Sequence, residues 1–201
     1  MIKWMMVLIV LCCSACNKSE PMLTKLPDDA VILAFGDSLT YGTGASAEHD
    51  YPHILAQLSG LEVVNAGVPG EISGEGRQRL PALLDEYQPN LLILIHGGND
   101  FLRKLPVDQT RENLKAMIVE AKQRNIAVVL LGVPQFGLIF LHSAEIYAEL
   151  AESEKIPSDL ETLPEIIASN ELKSDAVHPN NQGYQRLAEN IAALLKKQGA
   201  L

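Results

Sequence analysis

The sequence predicts an α/β domain built on a mostly parallel, doubly wound sheet of roughly five strands. Short apolar runs rich in Val, Ile and Leu recur along the chain, and segments of helical period lie between them. The runs lack the strict polar alternation of a strand with one wet face, as expected of strands buried on both sides. Strand–helix alternation of this kind is the pattern of right-handed parallel crossovers. At 201 residues and 47% hydrophobic composition, the chain can bury one good core but is short for two.

Taken in order, residues 1–15 read as a secretory signal. Lys3 precedes an apolar stretch from Trp4 to Cys13, followed by the small residues Ser14 and Ala15 and then Cys16. That stretch is well short of the about 20 apolar residues that span a bilayer. Cys13-Ser14-Ala15-Cys16 resembles a bacterial lipoprotein processing site, with Cys13 where Leu is usual, cleavage before Cys16 and acylation of its thiol. Such a lipid would hold the chain to a membrane at about 0.8 kcal/mol per buried methylene. Residues 16–29 are then a lipidated N-terminus and tether, polar from Asn17 to Asp29 and stiffened by Pro21 and Pro27. Every cysteine lies at or before Cys16, so the domain expected over residues 30–201 has no disulfide framework.

Within that domain, Val31 to Phe35, Leu61 to Asn65, Leu91 to Ile95 and Ala127 to Leu131 are predicted strands, with Ile156 to Leu160 a weak fifth. Helices are predicted over Tyr51 to Leu58, Gly76 to Tyr87, Thr110 to Arg124, Ser143 to Glu154, Leu163 to Ala168 and Asn181 to Lys197. The last places Tyr184, Leu187, Ile191, Leu194 and Leu195 on one stripe, with Lys196 and Lys197 where the helix dipole favours cations.

The net charge of -9, with no long basic stripe, argues against nucleic acid as a partner. An acidic surface also attracts anionic headgroups weakly, so any membrane attachment must come from elsewhere, namely the N-terminus, by a lipid or by an apolar anchor helix that stays attached.

Sites in open α/β sheets form outside the carboxyl ends of the strands. Ser38 follows the first strand there, Gly67 to Ser73 follow the second, Gly97-Gly98-Asn99-Asp100 follow the third, and Asp175 and His178 precede the last helix. A serine hydroxyl becomes a useful nucleophile when a base takes its proton and a carboxylate orients that base. Acyl transfer also needs fixed donors for a developing oxyanion, which Gly backbone and Asn side-chain amides can supply. Asp37 and Asp100 read as acceptors that fix their loops. His49, His53, His96 and His142 show no metal-ligand spacing and read as surface or loop histidines. With no Walker loop and no G-x-G-x-x-G after a strand, nucleotide binding has no motif behind it.

Gly36-Asp37-Ser38-Leu39, Gly70, Gly97-Gly98-Asn99-Asp100 and Asp175-x-x-His178 resemble the four blocks of the GDSL, or SGNH, hydrolase superfamily. The likeness runs from Val31 to the C-terminus. Val64 to Ser73 and Arg79 to Leu84 make it most similar to the bacterial acyl thioesterases, lysophospholipases and arylesterases. The resemblance implies a three-layer α/β/α flavodoxin-like fold, with Ser38 as nucleophile, His178 as general base and acid, and Asp175 as its orienting partner. It implies an oxyanion hole from the Ser38 and Gly70 backbone N–H groups and the Asn99 amide. Gly70 is chosen over Gly67 because Pro69-Gly70-Glu71-Ile72-Ser73 matches the family's small-Gly-acidic-x-Ser segment. The chain lacks the G-x-S-x-G elbow of α/β-hydrolases.

The activity implied is hydrolysis of aryl esters, short-to-medium acyl esters, lysophospholipids or acyl thioesters, without metal or organic cofactor, in the bacterial cell envelope. The partners are then a small-molecule or lipid ester and, through Cys16, a membrane. Two rivals stand beside it: a carbohydrate O-deacetylase using the same residues, and a non-catalytic envelope lipoprotein that keeps the fold for binding. Phe101, Leu102, Phe136, Leu138, Ile139, Phe140 and Leu141 are candidates either to line an acyl or aryl pocket or, equally, to pack in the core.

Overall fold

The computed structural model describes residues 23–135 and 142–201. The expectations for the signal segment, for Cys16, and for Phe136, Leu138, Ile139, Phe140 and Leu141 fall outside those residues.

The apolar runs become strands β1 (Val31–Gly36), β2 (Glu62–Gly67), β3 (Leu91–Ile95), β4 (Ala127–Leu131) and β5 (Ser158–Asp159). All neighbours pair in parallel, in the order β2-β1-β3-β4-β5. Every residue of β3, and every residue of β1 after Val31, is buried. The helices are α1 (Ser38–Tyr41), α2 (Tyr51–Ser59), α3 (Ser73–Tyr87), α4 (Gly98–Leu102), α5 (Val107–Gln123), α6 (Glu145–Glu154), α7 (Thr162–Ala168) and α8 (Asn181–Lys197). One layer packs α2 against α8 and α8 against α7; the other packs α3 against α5 and α5 against α6. The result is the three-layer α/β/α architecture, with continuous hydrophobic wall on both faces of the sheet.

Local chemistry sets the boundaries. Asp50 caps α2 by accepting the His53 N–H at 3.1 Å, and Asn180 caps α8 by accepting from Gln182 and Gly183 at 3.0 and 3.1 Å. Helix α3 starts at Ser73, earlier than the apolar period predicts, because the Glu75 carboxylate reaches back to the Ile72 N–H at 3.1 Å and satisfies the first turn. Helix α5 likewise starts at Val107, directly after Pro106, which has no N–H to leave unpaired. The fifth strand is shorter than the expected Ile156 to Leu160 because Ile156 turns into the core and only Ser158 and Asp159 pair with β4. The single-turn helices α1 and α4 are too short to show a period.

Part of the expected tether packs on the domain. Leu23 and Leu26 donate their N–H groups to Gln198 and Ala200 at 2.9 Å each, and Leu26 joins the core. Strand register places the C-terminal ends of β1, β2 and β3 side by side, with Gly36 opposite Gly67 and Ile95. The loops after these three strands therefore leave the sheet next to one another.

Candidate active site

Asp37 leaves β1 fully buried and caps α1 by accepting the Leu39 N–H at 3.0 Å. The cap is thus Asp37 rather than Ser38, which leaves the serine hydroxyl for another partner. That partner is His178, whose Nε2 lies 2.9 Å from Ser38 Oγ. His178 Nδ1 lies 2.8 Å from Asp175 Oδ2, while Asp175 Oδ1 accepts the Val177 and His178 N–H groups at 2.8 and 2.9 Å. An ionised carboxylate only accepts, so Nδ1–H donates to Asp175 and Nε2 is left to accept from the serine hydroxyl. Burial pushes the Asp175 carboxyl up, but the His178 ring and the two backbone N–H groups outweigh it and hold the group below its ordinary value.

Ser38 and His178 are 140 residues apart, and their meeting has identifiable causes. The loop before α8 closes on itself through Ser174 N–H to His178 O and Asn180 N–H to Leu172 O, both 2.9 Å. Asn181, the first residue of α8, accepts the Ser46 N–H and donates to Ser46 Oγ, both at 2.9 Å. The buried Tyr184 hydroxyl donates to Thr43 O at 2.9 Å. Gly44 has φ +96°, and a Cβ there would sit 2.1 Å from Ser174 Oγ and 2.5 Å from Pro179 O. A glycine is required for the Ser38 segment to approach the His178 loop this closely.

Gly70 and Asn99 face the same space. With Ser38 and His178 they border a cavity of about 260 Å³ whose other walls are largely apolar: Leu102, Val133, Pro134, Ile167 and Val177 among them. Gly70 adopts φ +82°, and Arg103 Nη2 donates to its carbonyl at 2.6 Å. Asn99, in the first turn of α4, donates through Nδ2 to Glu71 O at 3.0 Å and to Asp37 Oδ2 at a longer 3.3 Å. Burial pushes the Asp37 carboxyl up from its ordinary value. Asp100 accepts from Ser73 N–H at 2.8 Å, Ser73 Oγ at 2.5 Å and Thr110 Oγ1 at 3.3 Å, so it ties the loops after β2 and β3 together.

One alternative is settled here and one expectation corrected. Phe101 does not line the cavity; it packs in the core, edge-on to Tyr147 with ring centroids 6.3 Å apart. His96 is a loop histidine but not a surface one, unlike His49, His53 and His142, which are exposed. It directly follows β3 and is fully buried, because both its ring nitrogens find partners inside: Nε2 lies 3.0 Å from Glu71 Oε2, and Nδ1 accepts the Gly97 N–H at 2.9 Å. Glu71 is also gripped by Arg79, through Nε and Nη2 at 2.7 Å each. Burial pushes the Glu71 carboxyl up, but the bonds from Arg79 and His96 outweigh it and hold the group at about 2. The available signal was a carboxylate directly after Gly70 with an Arg eight positions on, which is weak alone. Among the described residues, no group of three or more His, Cys, Asp or Glu side chains is arranged to hold a metal ion.

The model of the GDSL-like lipase/acylhydrolase family matches residues 34–186. Esterase TesA of Pseudomonas aeruginosa is 31% identical, covering 87% of this chain and 92% of its own. The thioesterase 1/protease 1/lysophospholipase L1 of Escherichia coli is 30% identical, over 82% of this chain and 83% of its own. The crystal structure of the psychrotrophic esterase EstA from Pseudoalteromonas sp. superposes with a TM-score of 0.73 at 26% identity, over 84% of this chain and 98% of that one. With that family's model matching most of its length, the chain belongs to the GDSL-like lipase/acylhydrolase family.

Proposed function

We propose that this carboxylic ester hydrolase works through Ser38, His178 and Asp175 by way of an acyl-enzyme. His178 Nε2 takes the Ser38 proton as Oγ attacks the ester carbonyl, and Asp175 holds the imidazole in the correct tautomer and steadies the imidazolium that forms. The backbone N–H groups of Ser38 and Gly70 and the Asn99 amide receive the oxyanion; Asn99 turns toward it the hydrogen now spent on the long bond to Asp37. The tetrahedral adduct collapses, His178 protonates the leaving alcohol or thiol, and water then releases the acid by the reverse sequence.

One observation carries this reading: the unbroken Asp175–His178–Ser38 chain of hydrogen bonds opens onto the apolar-walled cavity that Gly70 and Asn99 also border. Those walls favour an acyl or aryl group over a sugar ring, whose hydroxyls would find few partners on Leu102, Val133, Ile167 and Val177. The substrates assigned are aryl esters, short-to-medium acyl esters, lysophospholipids and acyl thioesters. Cys16 carries the lipid that holds the enzyme in a bacterial envelope membrane. Among the described residues no helix is long and apolar enough to cross one.

The test is a rate profile over p-nitrophenyl esters of increasing chain length, acyl thioesters, lysophospholipid and acetylated sugars. Faster turnover of acyl and aryl esters than of acetylated sugars is expected; the opposite ranking would make the enzyme a deacetylase. Failure of a fluorophosphonate probe to label Ser38 would leave a binding module. Metabolic labelling with palmitate, lost in Cys16→Ser, tests the anchor separately.

A further inference from the structure

Two loops carry the proposed donors, and their common support lies behind the cavity. Glu71, one position past Gly70, is 7% exposed. Its carboxylate meets His96 at the start of the loop that carries Asn99, and its carbonyl accepts from Asn99 Nδ2 itself. His96 Nδ1 accepts the Gly97 N–H, so the ring must present Nε2–H to Glu71. Arg79 completes the cluster from α3. Beyond its two bonds to Glu71 it donates to Ala66 O at 3.1 Å and Gly36 O at 3.4 Å, and its guanidinium lies 4.3 Å over the Phe35 ring. It therefore references the cluster to the ends of β1 and β2.

We propose that Glu71, Arg79 and His96 are positioning residues that lock the Gly70 and Asn99 donors into one rigid frame. The proposal rests on the oxyanion role assigned to those donors above. Donors fixed in advance need no reorganisation when charge develops, and this is where their catalytic effect originates. A buried, fully paired charge cluster is a poor way to gain stability over apolar packing, but it imposes direction. The direction imposed here is that of two peptide segments, with the Ser73–Asp100 tie bracing their far ends. Helix α3 leaves room for the cluster only because residue 76 is glycine: a Cβ on Gly76 would lie 2.4 Å from His96 Nε2 and 3.2 Å from Glu71 Oε2.

Glu71→Gln, His96→Gln and Gly76→Ala are compared with the parent enzyme on a short-chain p-nitrophenyl ester, well below each variant's melting temperature. The affinity of an alkyl boronic acid, which forms a tetrahedral adduct on the nucleophile, is measured alongside. A displacement of about 1 Å in a positioned group costs on the order of 10²-fold, so kcat should fall roughly 10- to 100-fold. KM should stay within about twofold, because the lost interaction belongs to the transition state. Boronate affinity should fall in step with kcat, and Glu71→Asp should recover part of both. Folded variants with parental kcat and boronate affinity, whatever their melting temperature, overturn the proposal. Should Glu71→Gln not fold, Gly76→Ala and His96→Gln decide, since each disturbs the cluster through His96 while keeping both the Glu71 carboxylate and the Arg79 guanidinium. Asn99→Ala separates the two layers of argument. Parental turnover in that variant defeats the oxyanion assignment, whereas a slow Asn99→Ala beside a normal Glu71→Gln defeats only the positioning role.

Discussion

Behind the Gly70 and Asn99 loops, the Glu71 and His96 side chains are 6% and 0% exposed, whereas Asp175, behind the proton relay, has 54% of its side chain in solvent. Both sides of the site depend on a carboxylate bonded to a histidine, at 3.0 Å in one and 2.8 Å in the other. On the donor side the pair is sealed into the fold and an Arg completes it. On the relay side it sits on a short loop held by a few backbone bonds and by the start of α8. The contrast fits what each side is proposed to do. Donors for a developing charge act best when they cannot move, and desolvation is tolerable there because every charge is matched. The imidazole must take and return a proton, and its carboxylate has only to orient it and steady its positive charge.

Mutations at the two sides should therefore differ in size and kind. The largest effect belongs to Ser38→Ala, which removes the proposed nucleophile; turnover should fall by roughly 10⁶-fold, as in serine hydrolases generally, with the melting temperature nearly unchanged. Asp175→Asn comes next. The amide can donate to Nδ1 and so select the wrong tautomer, a loss on the order of 10⁴-fold in a buried triad. Water can reach this exposed position, so a loss of about 10²- to 10⁴-fold in kcat is expected. Asn99→Ala removes one donor and should cost about 10²- to 10³-fold in kcat with little change in KM. If steady-state kinetics showed Asn99→Ala to be more damaging than Asp175→Asn, the exposed relay would matter less than the geometry suggests.

The relay side was legible in the sequence and the donor side only in outline. Ser38, Asp175 and His178 sit in short motifs whose chemistry is carried by residue type, and the strands before Ser38 and Asn99 are unmistakable as unbroken apolar runs. What brought Ser38 to His178 was not visible: it depends on Gly44, Ser46, Asn181 and Tyr184, none of which announces so distant a partner. The strand order β2-β1-β3-β4-β5 came with the flavodoxin-like resemblance, since alternation alone gives parallel pairing but not which strand sits in the middle. His96 was misjudged because a histidine after a strand usually meets solvent. Its burial depends on a carboxylate 25 residues earlier and on the missing side chain at Gly76. Pairing that depends on two distant residues and one absent atom leaves no periodic trace.

Acid should separate the two carboxylates as well, with the smallest effect of the series. Glu71 is brought from an ordinary 4.5 to about 2 in the folded protein. A depressed carboxyl contributes stability that is fully present above its unfolded value and is lost as pH falls through the folded one. The contribution of Glu71 is therefore intact at neutral pH, declines below about 4.5, and is gone near 2. Asp175 is lowered too, but its exposure to solvent screens the interaction and leaves little of it in the global stability. Melting temperatures followed by circular dichroism from pH 7 to 2 should fall through this window in the parent protein. In Glu71→Gln they should start lower and change less, so that the two curves converge at the acid end. In Asp175→Asn the curve should run nearly parallel to the parent. A Glu71→Gln curve parallel to the parent throughout would mean that the buried cluster is not charged as drawn, and the contrast between the two sides of the site would lose its physical basis.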